Sequence, residues 1–192
     1  MANSLLSKRL LLGIVMSCAI SLSAQEQQID TKHSGFRIHV GKAGLFSAAA
    51  HEHWVRAPFA GGSLSDNEPA HISFQVHAKT LMVEPDDKLS ADDQANVQNT
   101  MQTQVLESDK YPEITFKSTK VELQQPNQWL VMGDLTLHGV TRTIRVQSSK
   151  GSAGYSGHTT LKQTDFGIHP VSIGGVVKVK NELDIEFTLV PE

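Results

Sequence analysis

The stretch that decides the fold is residues 110–146, KYPEITFKSTKVELQQPNQWLVMGDLTLHGVTRTIRV. Apolar and polar residues alternate around Ile114 and Phe116, which is the period of a strand with one buried face. Breaks at 125–127 and at Gly139 divide the stretch into three strand segments. Three antiparallel strands with local connections predict a meander at the centre of a larger sheet.

The rest of the chain extends this pattern and adds one helix. Residues 182–189 alternate apolar and acidic or polar side chains, which predicts a long final strand. Residues 90–107 instead have helical composition, with Asp92 and Asp93 near the start, where carboxylates complement the helix dipole. Roughly eight strand segments with local connections predict an all-β protein, either an antiparallel barrel or a two-layer sandwich.

Composition limits the classes of function. The chain has 192 residues and a net charge of −3, which fits one globular domain without linkers or repeats. A weakly acidic chain without a basic stripe is not expected to bind nucleic acid. The sequence contains no Ser-His-Asp arrangement, P-loop, dinucleotide fingerprint or paired-cysteine zinc motif.

The first 24 residues have the order of a secretory signal peptide. Lys8 and Arg9 precede an apolar run at 10–20, and small residues follow at Ser23 and Ala24. The apolar run is too short to span a bilayer comfortably. We therefore expect a signal peptide at 1–24, a mature domain at 25–192, export to a bacterial periplasm, and no integral membrane segment after processing.

The single cysteine, Cys18, lies within the expected signal peptide. Its removal would leave a mature chain without a thiol or a disulfide. The alternative is lipoprotein processing at Cys18. Met16 fits such a site poorly, and the apolar stretch continues beyond the cysteine, so a soluble exported protein is favoured.

Histidines are the one group of residues with metal-ligand chemistry. His51 and His53 are two positions apart and would share one face of a strand, with His138 as the third candidate ligand. Hydrogen-bonded surface histidines explain the same pattern, because no longer ligand signature accompanies the pair. The prediction is therefore no metal, with this histidine set as the alternative.

The apolar faces of the strands allow two interpretations. They could line a cavity for a hydrophobic ligand, or they could fill a closed core. Taken alone, the residues favour the closed core, since every sheet protein needs a dry face.

Three motifs carry a resemblance to a known family: YPEITFKSTKV at 111–121, GDLTLHGVTRTIRV at 133–146, and TDFGI at 164–168, followed by VKNELDIEFTLV at 179–190. Together the sequence resembles the YceI-like family of bacterial, mostly periplasmic, polyisoprenoid-binding proteins. The resemblance implies an extended, lipocalin-like antiparallel β-barrel of eight strands with one accessory α-helix. It also implies an apolar interior that holds an isoprenoid quinone or polyprenyl lipid, and no catalysis. The segment AAAHEHWVRAPFAGG at 48–62 departs from the family pattern.

With this resemblance, inward-facing apolar residues become candidates for the ligand tunnel. Two other functions stay open, namely a metal- or haem-associated redox accessory protein that uses His51 and His53, and a stress-response protein without a small ligand. A homodimer and a membrane redox partner also stay open. The tunnel candidates are Phe36, Phe46, Trp54, Phe74, Met101, Phe116, Leu135, Phe166, Ile185 and Phe187.

Overall fold

Antiparallel strands dominate the computed structural model, which describes residues 26–43, 52–173 and 177–192. The expected signal peptide, Phe46 and His51 lie outside these described residues. One α-helix, α1, spans Ala91–Thr100 and continues as a π-helical turn at Met101–Val105. Short 3₁₀ turns occupy Ala78–Thr80 and Gln163–Phe166. The strands are β1 Gln27–Gln28, β2 Gly35–Ala43, β3 His53–Pro58, β4 Gly61–Ser65, β5 His71–His77, β6 Met82–Val83, β7 Glu113–Gln125, β8 Gln128–Leu137, β9 Val140–Gly151, β10 Gly154–Lys162, β11 Ser172–Ile173 and β12 Val177–Leu189.

The predicted meander is confirmed as strands β7, β8 and β9. Phe116 pairs with Leu135 across β7 and β8, so two inward side chains of the predicted alternation lie opposite each other. The β8–β9 turn consists of His138 and Gly139, whose φ angles of 52° and 74° are both positive. Two central residues with positive φ match the right-handed twist of the flanking strands.

The sheet curls, and one continuous segment of the chain contributes a strand to each of its two ends. Strand order is β1-β4-β5-β7-β8-β9-β10-β12-β2-β3-β6, with β11 paired to β12. The strand that pairs with β2 continues through Phe59 and Ala60 into the strand that pairs with β5. The Ala60 N–H also donates to the Gln75 carbonyl at 2.8 Å. One bent segment, β3–β4, therefore joins both ends of the curled sheet.

This arrangement confirms the antiparallel barrel and explains why the structure has more strand segments than expected. Three of them, β1, β6 and β11, are only two residues long. When these are set aside and β3–β4 is counted as one bent strand, eight strands remain in the described part of the chain. The bend falls at Phe59 and Ala60, where the chain changes its pairing partner from β2 to β5.

The predicted helix is confirmed, and it is held against one end of the barrel by side-chain amides. Ser90 caps it, since its hydroxyl accepts from the Asp93 N–H at 3.1 Å. Gln98 accepts from the Val83 N–H at 2.8 Å and donates to the Leu81 carbonyl at 2.9 Å. None of the helices in the described part of the chain combines the length and apolarity needed to cross a membrane.

The barrel has two distinct ends. The helix end is where α1 lies against β6 and where the Gln163–Phe166 turn packs beside β9, β10 and β12. The hairpin end is where the β7–β8 and β9–β10 turns meet, with the Lys150 N–H donating to the Asn127 carbonyl at 2.9 Å. Apolar side chains line the interior between these two ends.

Candidate functional site

The interior of the curled sheet contains one large apolar cavity. Its volume is about 970 Å³, and inward side chains from most of the long strands line it. This is the upper part of the range typical of pockets for small molecules. The alternating pattern produces the cavity, because every second residue of a barrel strand faces the interior.

Aromatic rings form one wall of the cavity. Phe74 lies at the centre, with its ring centroid 5.2 Å from those of Phe36, Phe59 and Phe116. Phe36 and Phe187 face each other across β2 and β12, with centroids 6.3 Å apart. These offset and edge-on arrangements fix the rings relative to one another. The wall is therefore a preformed apolar surface rather than a set of independent side chains.

Most of the predicted tunnel residues lie on this cavity surface. They line the cavity because they occupy the inward-facing alternate positions of their strands or the barrel-facing side of the α1 segment. The predicted residues that line the cavity are Phe36, Phe74, Met101, Phe116, Leu135, Ile185 and Phe187.

Two predicted tunnel residues are placed elsewhere. Trp54 lies on the outer face, where the Arg37 guanidinium carbon is 4.1 Å from its ring centroid. His53, Val55 and Ala57 occupy the inward positions of β3. Trp54 lies between His53 and Val55, so its side chain points outward. Phe166 lies in the Gln163–Phe166 turn, is only 1% exposed, and packs in a buried cluster with Leu161 and Ile168. It does not line the cavity.

A charged cluster closes the hairpin end. The Lys150 ammonium and the Tyr155 hydroxyl both donate to Asp66 Oδ2, at 2.6 and 2.8 Å. These bonds, the one from Lys150 above all, hold the pKa of the Asp66 carboxyl below its usual value. Burial, followed by the bond to Asp66, raises the pKa of the Tyr155 phenol. The β4–β5 loop and the β9–β10 hairpin are thereby fastened together across the end of the cavity.

The cavity opens at the helix end. The exposed residues of its lining are Asp93, Asn96, Gln104 and Ser172, and all of them lie at or near α1 or β11. At the hairpin end, the lining residues Ser65 and Tyr155 are buried, and Asp66, His71 and Trp129 are half-buried. A ligand would therefore enter beside α1 and extend toward the hairpin end.

The described histidines of the metal hypothesis are not assembled into a metal site. His53 lines the cavity near its mouth. His138 instead pairs with Glu107, with 2.8 Å between its Nε2 and the carboxylate Oε2. Among the described residues, no group of three or more His, Cys, Asp or Glu side chains could hold a metal ion.

Several residues of the cavity were missed by sequence reasoning. Phe59 is 4% exposed and belongs to the aromatic wall, and its signal was the alternation that continues from Val55 and Ala57. Asn96, Thr100 and Gln104 line the mouth from α1. Their spacing of four residues was visible in the sequence, but polar residues on a helix usually face solvent.

Comparison with known proteins gives a consistent family assignment. A UPF0312 protein of Vibrio cholerae is 27% identical over 188 residues, covering 91% of this chain and 93% of that protein. A UPF0312 protein of Vibrio parahaemolyticus is 42% identical over 91 residues, covering 42% of this chain and 47% of that protein.

Two solved structures share the fold. BcnA of Burkholderia cenocepacia superposes with a TM-score of 0.59 at 17% identity, covering 84% of this chain and 98% of that chain. A polyisoprenoid binding domain from Saccharophagus degradans gives 0.57 at 13% identity, covering 86% and 97%. The model of the YceI-like domain matches residues 27–190, nearly all of the described barrel. The chain belongs to the YceI-like family.

Proposed function

We propose that this protein binds an isoprenoid lipid, with the apolar tail inside the barrel and the head group at the helix end. The observation that carries the proposal is the continuous apolar cavity of about 970 Å³ that opens beside α1. Each methylene group that leaves water for such an interior contributes about 0.8 kcal/mol to binding. A long hydrocarbon tail therefore gains affinity along the whole depth of the cavity.

The family gives a reason to choose an isoprenoid among apolar ligands. The Saccharophagus degradans structure with this fold is described as a polyisoprenoid binding domain. Within that class we propose a quinone or a polyprenyl compound, carried or sequestered without chemical conversion. The role needs only burial and release of the tail.

The experiment is identification of the lipid that copurifies with the protein from its own host. Lipid extraction followed by mass spectrometry is expected to yield an isoprenoid, and native mass spectrometry is expected to show one lipid per chain. A protein that is always empty and takes up no long-chain quinone would contradict the proposal. That outcome would favour the stress-response hypothesis without a small ligand.

A matched pair of variants tests whether the cavity is the binding site. Ile144 lines the cavity on β9, and its neighbour Thr143 points outward and donates to Asp134 Oδ1 at 2.7 Å. Ile144→Trp fills the cavity and should lower lipid occupancy several-fold, whereas Thr143→Trp should leave occupancy unchanged. Equal occupancy in the two variants would place the lipid outside the barrel.

We also propose that the protein acts in the periplasm after removal of residues 1–24. The support is the charged, apolar and small-residue order at the start of the sequence. Intact-mass measurement of the protein from a periplasmic fraction tests this, with a chain that begins near Gln25 as the expected result. A lipid-modified chain that begins at Cys18 would contradict it. The histidine-based redox hypothesis, which involves His51, stays a prediction.

A further inference from the structure

The side of α1 that faces the cavity carries two different rows of side chains. Val97, Met101 and Val105 form an apolar row that packs against the buried apolar side chains of the barrel. Asn96 and Thr100 begin a second row beside it, which Gln104 continues at the mouth. Residues four apart on a helix lie above one another on one face, so each row is continuous.

The second row is polar and is not used by the fold. The neighbouring amides of Gln98 and Gln102 are bonded to backbone groups of the barrel. In contrast, the side chains of Asn96, Thr100 and Gln104 make no hydrogen bond with any other residue in the described ranges. A row of free amide and hydroxyl groups therefore borders the opening of an apolar cavity.

The position of this row matches the place where a lipid head group would stop. The exposed residues of the described lining lie at or near α1 or β11, so a tail that fills the barrel leaves its head group level with the helix. Asn96 and Thr100 are separated by about 6 Å along the helix axis, at 1.5 Å per residue. Two such positions can bond to oxygens on opposite sides of one ring.

The charges at the mouth point to an uncharged head group. Among the described residues that line the cavity, Lys42 is the one lysine and no arginine is present. Asp93 lies on the same side of α1 and accepts from the Ser90 hydroxyl at 2.7 Å. Binding a diphosphate typically requires several cationic donors, which the described lining of the mouth does not supply.

We infer that Asn96, Thr100 and Gln104 form the head-group site, and that its ligand carries a neutral, oxygen-bearing head such as a quinone or an alcohol. The inference rests on the proposed function, because it assumes that the tail occupies the cavity. The amides and the hydroxyl donate hydrogen bonds to the oxygens of the head. They select among lipids that share a tail, and the apolar row below them contacts the first part of that tail.

The test uses the mature chain and probes that differ only in the head group. These are a ubiquinone with a farnesyl tail, farnesol, the hydrocarbon farnesene, and farnesyl diphosphate. Dissociation constants are measured by competition against a fluorescent apolar probe. We expect the quinone and farnesol to bind about ten-fold more tightly than farnesene, the size of effect that one or two net hydrogen bonds give. Farnesyl diphosphate should bind no more tightly than farnesol.

Variants then assign the preference to the row. Asn96→Leu, Thr100→Val and Gln104→Leu combined should remove the preference for the headed probes while farnesene binds as well as before. Asn99→Leu is the matched control, because Asn99 is exposed on α1 and does not line the cavity. If the triple variant does not fold, Thr100→Val alone, which conserves shape, should still reduce the preference. Chemical shifts of the Asn96 and Gln104 side-chain amides should move with the quinone and not with farnesene.

The outcomes separate the two proposals. Tight binding of all four probes with equal affinity would overturn the head-group site and leave the lipid-binding function standing. A triple variant that keeps the full preference would do the same, and so would a wild type that prefers the diphosphate. Failure of every probe to bind would overturn the proposed function and this inference together.

Discussion

The Nε2 atom of His138 lies 2.8 Å from Oε2 of Glu107, joining the end of the helical segment to the β8–β9 turn. Both residues have positive φ angles, 52° and 43°, so each backbone is shaped to bring its side chain to the other. The Tyr111 ring covers the pair from one side, with its centroid 4.2 Å from that of His138. This contact fastens the chain just beyond the π-helical turn to the rim of the barrel.

Removing the charge of Glu107 should therefore loosen the helical segment. Glu107→Gln keeps the backbone and the size of the side chain but loses the charge-assisted bond to a His138 side chain that is only 10% exposed. We expect the free energy of unfolding to fall by about 1–2 kcal/mol. Lys110→Gln is the control, since Lys110 is an exposed partner of the same carboxylate at 3.8 Å, and the loss of such an exposed ion pair should lower the free energy of unfolding far less. Equal losses in the two variants, measured by urea unfolding, would argue against a fastening role for His138.

The cluster at the hairpin end should make stability depend on acid pH. The pKa of Asp66 is lowered in the folded state, so its contribution is present above the pKa of the unfolded chain and is lost as pH falls through the folded pKa. We expect Asp66→Asn to be less stable than the wild type at neutral pH and equally stable in strong acid. The free energy of unfolding measured against pH in both proteins checks this.

Lys150→Gln tests the cause of that shift. Because the Lys150 bond contributes most to lowering the pKa of Asp66, its loss should raise this pKa toward its ordinary value. The loss of stability in acid should then be smaller than in the wild type, and it should be complete at a higher pH. An acid loss of unchanged size would mean that Lys150 is not the main partner of Asp66.

The two aromatic residues of the β3–β4 region should differ strongly in their effect on stability. Phe59 is buried in the aromatic wall at the bend, so Phe59→Ala should cost about 3 kcal/mol or more. Trp54→Ala removes an outer-face contact with Arg37 and should cost about 1 kcal/mol or less. Denaturant unfolding of the two variants gives the comparison. A larger loss for Trp54→Ala would mean that the inward and outward positions of β3 are exchanged.

Gly133 should not tolerate even a methyl group. A Cβ atom there would lie 2.4 Å from Cζ of Phe116 and 2.6 Å from the Lys117 carbonyl oxygen. Gly133→Ala should therefore destabilise the protein by about 1–3 kcal/mol, and the thermal midpoint should fall. Gly61 is the matched control, because a Cβ there would meet nothing within 4 Å. A neutral Gly133→Ala would show that Phe116 can move away from β8.

The local parts of the fold could be predicted from the sequence because they depend on neighbouring residues. Alternation around Ile114 and Phe116 fixed the inward face of β7, and Gly139 marked the turn. The bent β3–β4 segment was not recognised as one strand, since its two halves pair with strands that are distant from each other in the chain. The pairing partners of the residues on either side of this bend are set only when the barrel closes.

The residues that line the cavity could likewise be predicted from the sequence only in part. Residues such as Phe74 and Phe187 were found from strand parity. Trp54 was misplaced because β3 carries apolar residues at both parities, so the pattern alone does not choose a face. The polar row of α1 was not found. Polar side chains on a helix are normally expected to face solvent, and only the structure shows that these border a cavity. Positions of this kind require the tertiary structure.

The order of strands around the barrel has a consequence for how the protein is made. Strand β12, near the end of the chain, lies between β10 and β2, and Phe187 pairs with Phe36 near its beginning. Contacts between such distant residues form slowly, because the long loop between them must close first. The ribosome must therefore have made the chain as far as β12 before the wall between these strands can form. The aromatic contact between Phe36 and Phe187, and with it the complete cavity, is absent from any shorter nascent chain.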